Sequence, residues 1–316
     1  MRNALTRRVA LVSLVLVILG SGWFFLGGRG NQESRDVRKL ADASAPWAEQ
    51  AQALLRLSIN QSPEALDFIR KKLGSTQDRL APWTTRALGY FTSAEAVELL
   101  RRQLGSDVPA VREAAIEALA MRRSPDKLQL LSEAKAHAKG DLENARLQLV
   151  SLRLAAGTEA KSALAQQVIR ELERKSLDPA ARELLLGQIF FQSPRTREVE
   201  SYFSRLSSRI GALDETAGVA VIRALKIYCP ANRFDIIRGA LAGTSLSATG
   251  RARVLNELVF HAGPESREIL ESAGKDVAPA FVENIRKRLG DPTMKSPCSP
   301  NSPGTSAESP PSPSKS

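Results

Sequence analysis

Between residues 46 and 291, apolar positions recur every three to four residues in separate bursts, and polar residues fill the places between them. In the burst after Val108, the residues Val111, Ala114, Ala115, Ala118 and Leu119 make one stripe, while Arg112, Glu113 and Glu117 take the other side. This spacing predicts amphipathic helices. The alternation that would mark strands is missing, and the apolar side is dominated by Ala and Leu, both strong helix formers.

The bursts are themselves periodic. An aspartate opens an apolar helix in DRLAPWTTRALGYF from Asp78, DVPAVREAAIEALAMR from Asp107 and DLENARLQLVSLRLAA from Asp141. The same opening recurs in DPAARELLLGQIFF from Asp178 and DETAGVAVIRALKIY from Asp214, and Ser247 takes the place before ATGRARVLNELVF. The intervals are 29, 34, 37, 36 and 33 residues. Each helix ends in a short break, such as Ser124-Pro125, Ser193-Pro194, Cys229-Pro230 or Gly263-Pro264, and a second amphipathic helix follows. Asp and Ser accept bonds from unpaired first-turn N–H groups, and Pro loses nothing in a first turn. A helix pair of this size cannot bury its apolar faces alone, so successive pairs must stack.

The unit DVPAVREAAIEALAMRRSPDKLQLLSEA resembles the HEAT-like repeat, also found among phycobilin-lyase repeats. The likeness rests on Asp107, Pro109, the Val111-Arg112 pair and the Ala114-Ala115/Ala118-Leu119 pattern. It is specific at 107–134, weaker at 78–104 and 141–175, and loose over 178–291. The resemblance implies an all-α fold: an α-solenoid of about six to seven helix pairs over 46–291, with second helices on the concave side. It also implies an inter-repeat ladder from an arginine in each unit. Arg146 and Arg182 stand near that place, whereas Asp214 is followed by Val219, so no such rung is expected from that unit.

The two ends read differently. Residues Val9–Leu26 carry no charge and span about 27 Å as a helix, close to a bilayer core. Trp23, Phe24 and Phe25 lie at the far end, where an aromatic belt is expected. Residues 1–28 are therefore read as an uncleaved signal-anchor, with a cleaved signal peptide or a buried soluble helix as alternatives. Arg2, Arg7 and Arg8 favour a cytoplasmic N-terminus, placing the body in the periplasm of a bacterial inner-membrane protein. Arg29, Arg35, Arg38 and Lys39 favour the opposite orientation. Residues 29–45 are read as a linker. The Pro/Ser-rich stretch 292–316 has too few large apolar residues for a core and is expected to be a disordered tail whose removal leaves body stability unchanged.

Cys229 and Cys298 are expected to be two unrelated free thiols. Of the net charge of +11, three charges belong to the N-terminal arginines and one net to the tail, leaving +7 on residues 29–291. That balance is compatible with anionic lipid, nucleic acid or an acidic protein.

Catalytic chemistry is sparse. His137 and His261 are far apart in sequence and belong to no zinc motif, and there is no phosphate-binding loop or nucleophile elbow. Structural roles are expected for both histidines, and no cofactor or metal. The candidate binding feature is a recurrence of cations late in the second helices: Arg70, Lys71 and Lys72; Arg101 and Arg102; Arg170, Arg174 and Lys175; Arg205 and Arg209; Arg286, Lys287 and Arg288. Stacked repeats would gather them into a band for phosphates or acidic side chains, unless they only complement helix dipoles. The reading that follows is a non-catalytic, membrane-anchored scaffold for an unknown protein partner. The alternatives are a basic nucleic-acid-binding or DNA-repair-type protein, and a lyase or chaperone for a cofactor-bearing protein.

Overall fold

The computed structural model describes residues 29–73, 79–193, 196–243, 246–291, 293 and 296–298. The expected signal-anchor at 1–28 lies outside the described residues, and among those residues no helix is long and apolar enough to cross a membrane. Sixteen α-helices are present and no strand occurs among the described residues. They are α1 (Arg29–Ala41), α2 (Trp47–Ile59), α3 (Pro63–Lys72), α4 (Ala81–Ala87), α5 (Ala94–Leu104), α6 (Pro109–Met121), α7 (Lys127–Ala136) and α8 (Asp141–Leu154). They continue as α9 (Thr158–Leu172), α10 (Pro179–Gln192), α11 (Arg197–Ser207), α12 (Glu215–Tyr228), α13 (Arg233–Ala242), α14 (Ala248–Glu257), α15 (Pro264–Ala273) and α16 (Pro279–Leu289).

Seven helix pairs run from α2/α3 to α14/α15, with α1 before them and α16 after. The chain forms two compact units, residues 1–130 and 131–316, the division falling within α7. The stacked pairs of an α-solenoid are found in each. Residues 29–45, expected to be a linker, contain α1, which packs on α2 with Leu40 and Asp36 buried. Arg56 of α2 grips the Asp36 carboxylate at 2.6 and 2.8 Å, a charged hydrogen-bond pair that residue periodicity cannot reveal.

The punctuation works as expected at some joints. Asp178 accepts from the N–H groups of Ala180 and Ala181, Asp214 from Ala217 and Ser247 from Gly250. Pro63, Pro109, Pro179, Pro264 and Pro279 each begin a helix. Asp141 differs: it lies inside α8, and its carboxylate instead pairs with Arg174 and accepts from the N–H of Asp178 in the next repeat.

First helices are buried on more than one stripe. In α12, every residue from Ala217 to Ile222 is buried, as are Ala224 and Leu225. In the second unit, α10 and α12 each meet their own partner plus first helices on both sides, so three flanks lose water. In the first unit Arg112, expected on the polar side of α6, is buried and donates to Ser106 O at 2.7 Å.

In the first unit, α4 and α6 approach until backbone meets backbone: a Cβ at Gly89 would lie 2.5 Å from Ala118 O. Arg122 at the end of α6 closes the same joint. Its guanidinium is buried, donates to Phe91 O at 2.7 Å and pairs with Asp126 at 2.8 Å. Arg122 holds the Asp126 carboxyl below its ordinary range. In the second unit the apolar side chains form one continuous cluster. Phe190 sits at its middle, edge-on to Phe203, whose ring stacks on Tyr228 at 4.3 Å.

Polar rungs join successive pairs of the second unit. Arg182 reaches Asp214 at 2.8 Å. From the repeat that lacks the arginine, Glu215 substitutes by accepting from the N–H of Ser247 at 2.7 Å.

The cysteine expectation fails. Cys229 and Cys298 form a disulfide across 69 residues, with their Cα atoms 5.2 Å apart. Cys229 caps α12 in the left-handed conformation, at φ 44° and ψ 48°, where glycine is usual. Ser296 Oγ donates to Phe260 O, so the tail is bonded to the body at least as far as Cys298. The pairing is invisible in one sequence because only the fold brings the two positions together.

Gly89→Ala should lower stability by about 2–3 kcal/mol, because the new methyl meets backbone rather than a movable side chain; urea unfolding matching the parent would show that α4 and α6 can separate freely. Under oxidising conditions, Cys298→Ser should lose about 2–4 kcal/mol through release of the long closed loop, whereas truncation after Cys298 should leave the melting temperature unchanged.

Candidate functional site

A shallow, open concavity lies between two second helices, α9 and α11, and has a volume of about 260 Å³. Gln166, Ile169 and Arg170 come from α9 and Glu173 from just beyond its end; Glu198, Ser201, Tyr202 and Arg205 come from α11. The offsets are three, four and seven residues on both helices, so each contributes a single face. Stacking of the two pairs sets these faces side by side.

Polar bonds hold the walls. Glu198 accepts from Ser162 Oγ and from Gln166 Nε2, the latter at 3.2 Å. The Ser162 bond is the main reason that the Glu198 carboxyl is held below its ordinary range. Arg205 pairs with Glu173 and lies 5.2 Å from the Tyr202 ring centre, a cation–π distance. Tyr202 is buried, which pushes its phenol up to about 12. Among the described residues Arg170 has no ion pair, and it is exposed. The groove therefore offers one spare guanidinium, a second shared with Glu173, and an aromatic floor. Glu173 and Glu198 also face the space, so the lining carries both signs of charge.

Two members of the expected basic band meet here. Arg170 and Arg205 line one groove, while Arg174 is drawn to Asp141 and Glu171, both at 2.6 Å. Lys175 is exposed beyond α9, and Arg209 lies in the turn after α11. In the first unit, Arg70 pairs with Asp67 and Glu95, and Arg101 with Glu98. Lys72 lies 5.8 Å from the Phe68 ring centre; Lys71 and Arg102 are exposed. Arg286, Lys287 and Arg288 are on α16, which opens a new pair and is not a second helix. Arg286 pairs with Glu283, Lys287 is exposed and Arg288 donates to Asn256. The acids that neutralise these cations come from one turn away or from the adjacent repeat, a partnership that a scan for cations overlooks.

Residues 72–149 match the family model of HEAT repeats. The HEAT match covers the segment whose resemblance was most specific, with the buried Ala114, Ala115, Ala118 and Leu119 at its centre. No curated protein and no solved structure matches the chain.

A second polar cluster surrounds the disulfide. His261 is 1% exposed, its Nδ1 lies 3.8 Å from Cys298 Sγ, and its ring meets Phe234 edge-on. Ser266 Oγ donates to the His261 carbonyl. Burial, reinforced by the positive fields of Arg233 and Lys226, pushes the imidazole down to about 4. Lys226 in turn pairs with buried Glu257 and lies 4.2 Å from the Phe260 ring centre. His137 follows α7, away from these groups in the chain and exposed. Among the described residues no cluster of His, Cys, Asp and Glu is arranged to hold a metal.

The missed groove residues, Tyr202 and Glu198, had a weak signal: both precede Arg205 on one helical face. The disulfide had none. Because the unfolded chain protonates His261 below its ordinary value while the folded protein does not, stability is complete above pH 6.5 and declines as pH falls toward 4. Between pH 6.5 and 5 the loss should be about 2 kcal/mol, and His261→Gln should flatten this slope; equal slopes in urea titrations of the two proteins would place the titration elsewhere.

Proposed function

We propose that this protein is a non-catalytic interaction scaffold that uses the α9/α11 groove to hold an acidic segment of a protein partner. The observation that carries the reading is the pairing of exposed Arg170 with Tyr202-backed Arg205 on two adjacent helices of a HEAT-like stack. A flat recognition face on rigid helices positions such anchors at little entropic cost, and Arg over an aromatic ring is typical of residues that dominate interface energy. The match to HEAT repeats supports the same class of role, but that class hosts many unrelated partners, so the groove and not the fold carries the choice.

The uncharged stretch Val9–Leu26 remains our reason to propose a single membrane anchor, with the body outside the cytoplasm of a bacterial cell. The Cys229–Cys298 bridge favours that side, since structural disulfides persist mainly in oxidising compartments. Ion pairing within the basic band weakens the nucleic-acid reading: Arg70, Arg101, Arg205 and Arg286 already share their charge with Asp67, Glu95, Glu98, Glu173 and Glu283. Cys229, the one candidate for attaching a chromophore, is engaged in the disulfide, which weakens the lyase reading.

A photo-crosslinker at Ser201 should yield a discrete protein adduct in cells, reduced at least about tenfold by Arg170→Glu with Arg205→Glu. Reversal of Arg101 and Arg102 should leave that adduct intact. Loss of the adduct with both pairs of substitutions would reject the groove in favour of a diffuse charge effect. A reporter active only outside the cytoplasm, fused after Gly290, should be active; activity of a cytoplasmic reporter there would reverse the orientation.

A further inference from the structure

The two sulfurs of the bridge have unequal surroundings. Cys229 Sγ lies 3.7 Å from Lys226 O, and Cys298 Sγ lies 3.7 Å from Leu225 O. Both carbonyls belong to the last turn of α12, whose negative dipole end disfavours a thiolate. Only Cys298 has a compensating neighbour, the His261 imidazole at 3.8 Å. His261 Nε2 is buried with no hydrogen-bond partner among the described residues, so a neutral ring with its proton on Nδ1 leaves an unpaired acceptor there rather than an unpaired N–H. Lys226 and Arg233 add positive field at His261, and both cysteines are partly exposed to solvent.

An exchange reaction at a disulfide runs fastest through the sulfur whose partner leaves as the more stable thiolate. Here that leaving sulfur is Cys298. We propose that Cys229–Cys298 is a thiol–disulfide exchange site, at which an external dithiol attacks Cys229 Sγ and Cys298 departs as a thiolate against His261. The attacking thiolate forms a mixed disulfide with Cys229 as the original S–S bond breaks. The bond's electron pair stays on Cys298 Sγ, which accepts a hydrogen bond from His261 Nδ1–H and then takes a proton from water. The second thiol of the dithiol loses its proton, displaces Cys229 and closes its own disulfide; the Cys229 thiolate takes up a proton. The dithiol is oxidised by two electrons and the protein reduced by two.

Opening the bond also changes structure. Residues 296–298 are held to the body through this disulfide and the Ser296–Phe260 bond. Their release uncovers His261 and the end of α12, so the redox state of the pair sets whether the strap is closed. The proposal uses none of the α9/α11 groove residues and stands apart from the scaffold reading.

The test uses the folded, oxidised full chain in detergent. It is exposed to reduced glutathione, quenched in acid, and alkylated with N-ethylmaleimide before peptide mass spectrometry. Glutathione should appear on Cys229 and maleimide on Cys298, with a bias of about tenfold. Glutathione on Cys298, or an even split, would overturn the role of His261. No opening under conditions that fully reduce the urea-unfolded chain would show a sealed structural bridge and overturn the exchange site. After dithiothreitol, amide exchange should rise in residues 258–262; unchanged exchange there would overturn the strap release.

Discussion

The close lateral packing of first helices is the constraint on which the other features depend. No pair of helices this short buries its own apolar faces, so within each unit the pairs lean on one another. Alanine makes the approach possible in α6, where Ala114, Ala115 and Ala118 are all buried, and Gly89 lets backbone touch backbone. Once first helices are this close, polar groups at their ends lose water and must find partners. Arg122 answers that demand by holding the carbonyl of Phe91 while its charge is matched by Asp126.

The same packing sets the registry of the second helices, and hence the groove. The bonds from Asp141 to the N–H of Asp178 and from Arg182 to Asp214 join consecutive repeats at their first-helix ends. Their partners α9 and α11 then lie alongside each other, with Arg170 and Arg205 across one space. Four of the other candidate cations, Arg70, Arg101, Arg174 and Arg286, are drawn to carboxylates one helical turn or one repeat away.

At the C-terminal end, a different device closes the structure. The last helix α16 has no second helix after it among the described residues; Ser296 bonds back to Phe260, beyond α14, and Cys298 to Cys229 at the end of α12. A covalent link across 69 residues limits how far this end can open, a role that a further repeat would otherwise fill by burial. His261 sits beneath that link, where burial keeps its ring neutral, so the sulfur beside it meets an uncharged imidazole.

How much of this was legible in the sequence follows from the range of each interaction. Helix periodicity, capping by Asp178, Asp214 and Ser247, and proline at helix starts are local, so the repeat and its all-helical class could be read directly. The same locality misleads in two places: Asp141 stands at a cap position in the repeat but pairs with the next repeat instead, and residues 29–45 look like a linker because their few apolar residues are insufficient until α2 covers them. The groove was half legible, since Arg170 and Arg205 stood out as cations but their distance depends on how two helices stack. The disulfide, the burial of His261 and Arg112, and the ion pairing within the basic band were decided only by tertiary structure. Each needs groups from distant parts of the chain to share a volume from which water is excluded, and a one-dimensional pattern does not specify that volume.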